Sequence, residues 1–538
     1  MRAMIAPALP ASSRHRRTVV TDAEVGELAE TSALDDGLHR GLKNRHLQMI
    51  ALGGVVGSSI WYGTGYALSY SGPVGALIAF LVIGLDVFFV MQSLGEMSTL
   101  YPTPGAFTEL AGRFIDPAIS FALGWNYWYL PVASGSRTSP PNTTRPSLVF
   151  TIWTDKIPSY GWILLSWALF QALSLLGVRV YGEVKFWLAA WKFLCVLAGF
   201  LIAILVNTGA VGGDYIGFRY WHDPGPFAAN GINGFGQSFV LAAVYYCGTE
   251  MVAITAGESE NPRRDLPKAI RQTFFRILFV FIGLVFSASI IVPSNDPGFL
   301  TAKSKTASSP FSIALQNAGW ETAPNLINVN IVTAILSSIN SSIYIASRSL
   351  LSLARRGRAP RFFAKTTANG VPVRCIVLSN FLGLISLINT SAGAGQVFTY
   401  LMSISGAATF IAWGFIGVTH IRFRRAWLRQ GHTLDELPFR AMWFPFGAYF
   451  VAGLNLFPVL IQGYSTLLHP WQPVSFVFSY LVLVLFVGLY LFWKVYHKTS
   501  VVRLNEVDLQ YGRRDYLDSG QPEKNVSILI RVKRFVFS

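Results

Sequence analysis

The sequence contains little charge and little cysteine. Only 13% of its 538 residues are Asp, Glu, Lys or Arg, about half the share found in soluble globular proteins. The three cysteines, Cys195, Cys247 and Cys375, share no metal-ligand spacing and lie in apolar stretches. This pattern predicts neither a disulfide framework nor a metal site. The H-E-x-x-H, G-x-S-x-G and Walker-type motifs are also missing, so we expect neither enzyme activity nor a cofactor.

Apolar side chains make up most of what is present. Hydrophobic residues account for 52% of the chain and aromatic residues for 14%. Runs of about 20 apolar residues are long enough to cross a bilayer as helices. The sequence therefore predicts an all-α polytopic membrane protein with about twelve transmembrane helices. The predicted spans are 47–70, 73–97, 117–133, 160–177, 184–207, 233–256, 272–293, 325–347, 372–390, 395–420, 442–465 and 473–495.

The formal net charge of +16 would also suit a nucleic-acid-binding protein, but its distribution predicts membrane topology instead. Cations cluster in the first tail and after the sixth, eighth and tenth spans, as "RHRR", "NPRRDLPKAIRQTFFR", "ARRGRAPRFFAK" and "RFRRAWLR". These segments alternate with cation-poor loops, and cytoplasmic loops are the ones rich in Lys and Arg. We predict cytoplasmic tails at 1–46 and 496–538, the second largely unstructured or loosely docked, around a membrane domain at 47–495.

The first span is unusually rich in glycine, as "GGVVGSSIWYGTG" between Gly53 and Gly65. One interpretation is close helix packing through the Gly53 and Gly57 pair. The other is a helix that is unwound near the membrane midplane, where freed N–H groups meet a carboxylate and freed carbonyls meet an ammonium group. Unwound backbone is tolerated at that depth only where it is buried or lines a cavity.

A second interrupted span favours the unwound helix. The sixth span reads "VYYCGTEMVAITAGE", with Gly248 and the acidic Glu250 inside apolar sequence. Paired interruptions at matching positions of two halves are typical of inverted-repeat transporters. We therefore predict a 5+5 repeat, made of spans one to five and six to ten, with broken helices 1 and 6 and two accessory helices.

Ionisable residues inside the predicted spans are candidates for function, and we select three of them. They are Asp86 in the second span, Lys192 in the fifth and Glu250 in the sixth. Intramembrane charges are costly, so each is either paired with a structural partner inside the bundle or carries a coupling proton. Both roles stay open for all three residues at this point.

Seven ordered motifs make the chain resemble the fungal amino acid permeases of the amino acid, polyamine and organocation transporter superfamily. The similarity extends from about Leu42 to Tyr496. The motifs are "LKNRHLQMIALGGVVG", "LGEMSTLYPTPGAF", "GWNYWY", "GVRVYGEVKFW", "GTEMVAITAGESENPRRDLPKAI", "INSSIYIASRSLLSLARRGRAPRFF" and "ISGAATFIAWGFIGVTHIRFRRAWLRQG". Each lies on the matching span of that family.

The resemblance implies a plasma-membrane proton symporter of amino acids that works by alternating access, with amino acids and protons as its partners. It also implies roles for individual residues. The substrate carboxylate would be held at Val56, Gly57, Ser58, Ser59 and Ile60. The amino group and side chain would be faced by Tyr246, Gly248, Thr249 and Glu250. Lys192 matches a family lysine that stands where sodium-coupled relatives hold sodium, which makes it the first proton-coupling candidate, followed by Glu250 and Asp86.

The chain departs from the family pattern near the first helix break. Where the family shows G-[TS]-G-[LI]-F, this sequence has Ser59 and Trp61. We therefore predict a smaller or altered side-chain pocket. In the sixth helix, Ala253 replaces a small, glycine-type position, which is a milder change.

A polar stretch, "LPVASGSRTSPPNTTRPSLVFTI", follows Tyr129 where relatives continue a long third helix. We predict that this helix ends near Leu130, because extending it would bring arginine and proline into the membrane. Three explanations are open: a genuine outer loop with a glycosylation sequon at Asn142, a segment read from an intron or out of frame, or a change that abolished transport. The abrupt change of composition at both edges favours the second. If the stretch at 130–150 is real, a non-transporting sensor or a degenerate permease becomes the alternative function.

Overall fold

The computed structural model describes residues 49, 57, 59–103, 105–137, 159–228, 231–255, 262–301, 309–320, 323–367, 369–382, 394–467 and 471–513. All regular structure within these ranges is helical, and none of it is β-strand. The all-α prediction is therefore confirmed. The amino-terminal tail predicted at 1–46, most of the polar stretch after Arg137 and residues 514–538 lie outside the described residues.

Seventeen α-helices are present in the described residues. In chain order they are α1 Ser59–Leu100, α2 Ala106–Phe114, α3 Pro117–Arg137, α4 Ser159–Leu175, α5 Val178–Asn207, α6 Arg219–His222, α7 Gly231–Tyr246, α8 Met251–Thr255, α9 Pro262–Phe275, α10 Gly283–Ile291, α11 Gly298–Thr301, α12 Pro310–Asn317, α13 Ala323–Arg355, α14 Val373–Leu382, α15 Ala394–Arg429, α16 Phe446–Ile461 and α17 Pro473–His497. A π-helical stretch at Arg276–Ile282 joins α9 to α10. Short 3₁₀ turns lie at Arg361–Ala364, Leu434–Glu436 and Tyr464–Leu467.

Seven helical segments of the described chain are long and apolar enough to cross a membrane. They are Gly63–Leu100, Val180–Asn207, Gly231–Ile254, Asp265–Ile291, Val329–Arg355, Ser403–Arg429 and Pro473–His497. Two shorter apolar helices are Val373–Leu382 and Phe446–Ile461. Each of the twelve predicted spans overlaps one of the helices. The chain is thus a multi-pass membrane protein, while the count of twelve and the inverted repeat remain predictions.

The outer surface of the helices supports the same conclusion. Along α17 large apolar side chains face outward, and Val484, Leu491 and Val495 are more than half exposed. A soluble protein rarely leaves so continuous an apolar face in water. Lipid acyl chains cover such a face at no hydrophobic cost.

A sharp kink divides α1 into a first arm, 59–71, and a second arm, 73–100. Gly72 stands at the kink with φ of 76°, a left-handed conformation that residues with a Cβ adopt only at a cost. A Cβ there would also lie 2.7 Å from the backbone of Phe227. Pro73 has no N–H to continue the first arm's hydrogen bonds, so the two arms form the first two predicted spans.

The third helix is longer than predicted. α3 runs for 21 residues, from Pro117 to Arg137, or about 31 Å at 1.5 Å per residue. The expected end near Leu130 is therefore wrong, because the helix continues through Pro131 into the first part of the polar stretch. A helix of this length can cross the hydrocarbon core of about 30 Å.

The carboxyl-terminal strap, residues 498–513, is docked more tightly than the sequence predicted. The Tyr101 hydroxyl donates to the Leu509 carbonyl at 2.8 Å, and the Gln430 amide donates to the Val507 carbonyl at 2.8 Å. Val507 and Leu509 are buried. These contacts use the backbone carbonyls of the strap. A sequence motif cannot predict them, because every residue has a carbonyl.

Candidate functional site

The sixth predicted span is interrupted where the sequence suggested. α7 ends at Tyr246 and α8 begins at Met251, with four residues between them. Gly248 has φ of 93°, which a glycine adopts without strain. The Gly248 N–H therefore leaves the helical ladder and donates to both carboxylate oxygens of Glu250, at 3.2 Å each. The break turns backbone donors toward an acidic side chain inside the bundle.

Glu250 is the centre of this site. Its side chain is 1% exposed, so its oxygens need partners within the protein. The Tyr127 hydroxyl on α3 donates to Oε1 at 3.0 Å, and the Trp413 Nε1–H on α15 donates to Oε2 at 3.1 Å. With the Gly248 N–H, three parts of the chain meet at one carboxylate.

Tyr246 and Thr249 complete the wall of the break. The Tyr246 hydroxyl donates to the Phe80 carbonyl on the second arm of α1 at 3.2 Å, and its ring lies 4.1 Å from that of Phe281. The Thr249 hydroxyl donates to the Tyr246 carbonyl at 2.6 Å. The structure thus places Tyr246, Gly248, Thr249 and Glu250 at one helix break, and their contact with a substrate remains a prediction. The hydroxyl groups of Tyr246 and Thr249 both donate to backbone carbonyls of the protein.

The first predicted break is described only in part. Gly57 is non-helical and half-buried, and α1 begins two residues later at Ser59. Val56, Ser58 and the Ser59 side chain lie outside the description. Ile60 is buried in the hydrophobic core. The proposed carboxylate site at Val56, Gly57, Ser58, Ser59 and Ile60 therefore remains a prediction, and the start of α1 after Gly57 is compatible with it.

Close packing of α1 on α7 uses a glycine that the sequence analysis did not select. A Cβ on Gly63 would lie 1.9 Å from the Tyr245 hydroxyl oxygen. No side chain larger than hydrogen fits there without displacing the Tyr245 side chain. Gly63 thus packs against α7, whereas both interpretations of the Gly53 and Gly57 pair remain predictions, because Gly53 lies outside the described residues.

Trp61, the enlarged aromatic residue, points toward α5 and α12. Its ring lies edge-on to Phe311 at 5.3 Å, and ring atoms lie 3.1 Å from where a Gly199 Cβ would stand. The Trp61 carbonyl accepts from the Ser309 hydroxyl at 2.8 Å. Gly199 thus provides the room that the larger ring needs. The altered substrate pocket remains a prediction, and Ala253 lies buried on α8.

The three proton-coupling candidates lie in three different surroundings. Lys192 is buried on α5. Asp86 is buried on the second arm of α1, where the Asn455 Nδ2 on α16 donates to its two oxygens at 2.8 and 2.9 Å. Glu250 has the partners on α3 and α15 described above. The hydrogen bonds described for Asp86 and for Glu250 therefore come from different helices.

Four residues of these surroundings were missed from the sequence. Tyr127 and Trp413 lie inside two of the seven motifs but were not predicted as site residues, although a buried tyrosine or tryptophan usually has a polar partner. Arg276 lies buried in the π-helical stretch, which also contains Phe281, the ring packed on Tyr246. Lys185 is buried on α5. Both cations lie near the edge of a predicted span, and depth in the membrane was the signal that could have found them.

Comparisons with known proteins give one consistent result. The general amino acid permease AGP3 of Saccharomyces cerevisiae is 39% identical over 497 residues, 91% of this chain and 88% of that protein. The lysine-specific permease of the same yeast is 36% identical over 93% of this chain and 83% of its own. The histidine permease HisP of Lactococcus lactis subsp. cremoris is 36% identical over 87% of this chain and 98% of its own.

A solved structure of MHP1, a nucleobase-cation-symport-1 family transporter, in a closed conformation, is similar with a TM-score of 0.49 and 13% identity, over 85% of this chain and 93% of that one. The family model of the amino acid permeases matches residues 46–506. The motifs, the helix break at Gly248, the relatives above 35% identity and the match across the membrane domain agree, and the chain belongs to the amino acid permease family.

Proposed function

We propose that this protein is a proton-coupled amino acid permease of the plasma membrane that works by alternating access around the two helix breaks. The observation that carries the proposal is the break between α7 and α8, where Glu250 is bonded from α3 and α15. A carboxylate shared by three parts of a bundle changes its partners when those parts move. The names of the relatives, which include general, lysine and histidine permeases, support an amino acid as the cargo.

We propose that the substrate binds between the breaks. Its carboxylate would be held by the start of α1 at Val56, Gly57, Ser58, Ser59 and Ile60. Its amino group and side chain would face Tyr246, Gly248, Thr249 and Glu250. Helix starts attract negative groups and interrupted carbonyls attract positive ones, which suits a zwitterion.

For the proton we propose Lys192 first, then Glu250, then Asp86. The topology with both tails in the cytoplasm, and the division into tails at 1–46 and 496–538 around the domain at 47–495, belong to the same proposal. So does the assignment as a transporter rather than an enzyme, because its family members are permeases.

Accumulation of labelled amino acids in a transporter-deficient host tests the proposal. A permease raises the internal label above the external level, whereas a sensor or degenerate permease shows at most saturable binding. Lys192→Ala is expected to abolish pH-driven accumulation while the surface level stays normal, with the exposed Lys365→Ala as the matched control. An unchanged pH dependence in Lys192→Ala would remove this lysine from the mechanism.

A further inference from the structure

A second buried lysine on α5 connects this helix to α13. Lys185 lies two turns into α5 and is 1% exposed. Its Nζ donates to the Ser337 carbonyl, to the Ser337 hydroxyl at 3.0 Å and to the Ser341 hydroxyl. All three acceptors belong to α13. The side chain therefore bridges α5 and α13, a contact that no sequence motif predicts.

The number of these bonds matches the protonated form of the side chain. An ammonium group has three N–H donors and no acceptor, and here each donor has a partner on α13. A neutral amine has only two N–H donors and one lone pair, so loss of the proton ends one of the three donations unless a serine hydroxyl turns to donate to Nζ. For Ser341 that turn would break its own bond to the Ser337 carbonyl, at 3.2 Å. The contact between α5 and α13 at this level is therefore sensitive to a single proton.

A second buried lysine lies on the same face of α5. Lys192 stands seven residues after Lys185, about 10 Å further along the axis. The helices packed on α5 are α4, α10, α12 and α13. Their titratable groups are Tyr160, Tyr344, Arg348 and Arg355.

No carboxylate lies on those four helices as far as they are described, while α5 itself carries the half-buried Glu183. The first arm of α1 meets α5 through Trp61 at Gly199, fourteen residues beyond Lys185. Two lysines are thus buried on one face of α5, between helices that bring no acidic side chain in their described parts.

We propose that Lys185 is a second proton-linked residue of transport, a positioning residue whose ammonium group holds α13 against α5 and releases it when the proton leaves. The inference rests on the proposed proton-coupled function. In the step, one N–H bond breaks, the electron pair stays on Nζ, and water on the cytoplasmic side takes the proton. Lys192 and Lys185 then act in sequence along one face of α5.

Three variants separate this role from a purely structural one. Lys185→Met removes the donors at similar length, and Lys185→Arg keeps a charge that does not dissociate in the physiological range. The double variant Ser337→Ala with Ser341→Ala removes two acceptors and leaves the lysine in place. The matched control is Trp191→Phe, which removes a neutral bond of 3.1 Å between α5 and Thr333 of α13.

Uptake is measured against external pH and normalised to surface protein. We expect Lys185→Met to lower the maximal rate at least tenfold with less than a threefold change in KM. Lys185→Arg should flatten the pH profile, and the double serine variant should shift it. Trp191→Phe should keep both the rate and the profile. Wild-type pH profiles in Lys185→Met and in the serine variant would overturn the proposal.

Hydrogen–deuterium exchange of the purified protein provides a readout that does not depend on transport. Peptides covering Ser337 to Tyr344 should exchange at least threefold faster in Lys185→Met than in Trp191→Phe. If the wild type fails to accumulate amino acids, the proposed function fails. In that case the exchange experiment alone tests whether Lys185 holds α13 against α5. Equal exchange in Lys185→Met and Trp191→Phe would overturn that contact. If Lys185→Met does not reach the surface, the serine variant decides in its place.

Discussion

Glu250 and Asp86 are both carboxylates in the apolar interior of the bundle, yet their neighbours differ. Glu250 follows a helix break and accepts from Tyr127 on α3, from Trp413 on α15 and from its own broken backbone. Asp86 lies in the middle of a continuous arm and accepts from one amide, that of Asn455 on α16. Equal burial therefore does not mean an equal role.

The comparison indicates which buried carboxylate responds to movement of the helices. A carboxylate whose donors come from separate helices changes its total hydrogen bonding when those helices shift. A carboxylate bonded to one side chain mainly fixes the distance between its own helix and that neighbour. We therefore expect Glu250 to affect transport and Asp86 to affect assembly, and four variants test this comparison.

The largest effect is expected from Glu250→Ala. It leaves the Tyr127 hydroxyl, the Trp413 N–H and the Gly248 N–H without their acceptor. Bonds to a charged group contribute about 1.5 to 3 kcal/mol each, so uptake per surface molecule should fall at least about a hundred-fold, at about 1.4 kcal/mol per factor of ten. Labelled uptake with surface quantification measures it.

Tyr127→Phe tests the contribution of a single donor, because it removes one hydrogen bond to Glu250 and keeps the carboxylate. A fall of roughly tenfold is expected from the loss of one charge-assisted bond. If Glu250→Ala retained more than half of the wild-type uptake, the central position of Glu250 would be refuted, whatever Tyr127→Phe does.

A smaller effect is expected from Asp86→Asn. The new amide keeps an oxygen for the Asn455 donor, and its own N–H₂ can donate to Asn455 Oδ1, which has no partner in the described part of the structure. Uptake per surface molecule should stay within about fivefold, with an unchanged pH profile, because one neutral bond contributes about 1 kcal/mol. A loss as large as that of Glu250→Ala would remove the distinction.

The smallest effect is expected from Glu436, a carboxylate outside the membrane. Hydrogen bonds from the Thr433 backbone and from His432 lower its pKa from 4.5 to about 2. Because the folded pKa is depressed, the contribution to stability is present above pH 4.5 and is lost as the pH falls toward 2. Glu436→Gln should melt slightly below wild type at pH 7, and the gap should narrow at pH 3.5.

Uptake by Glu436→Gln should equal that of the wild type, which makes this variant the reference for the two buried carboxylates. A gap in melting temperature that grew on acidification would contradict the assigned sign.

The sequence predicted the features that depend on local chemistry. Glycines and an acidic residue inside apolar runs located the break at Gly248, and the apolar run lengths located the helices. The length of α3 was missed because polar composition argued for an early end, although a helix of this length needs only its own backbone hydrogen bonds. The docked strap was missed because Gln430 and Tyr101 bind its carbonyls, which every sequence has.

The site was predictable only where its residues follow one another in the chain. Tyr246, Gly248, Thr249 and Glu250 could be selected together since one helix break presents them all. Tyr127 and Trp413 lie 123 and 163 residues from Glu250, and only the packing of α3 and α15 selects them. Lys185 likewise could not be selected from the sequence, because the serines that accept its hydrogen bonds lie 152 and 156 residues away.

The central claim is that amino acid entry carries protons with it. The most direct test places the purified protein in liposomes containing a pH-sensitive dye and adds amino acids outside, without an imposed pH gradient. We expect the interior to become more acidic as the label enters, and Glu250→Ala to show neither change. Entry of label without acidification, or saturable binding without entry, would contradict it.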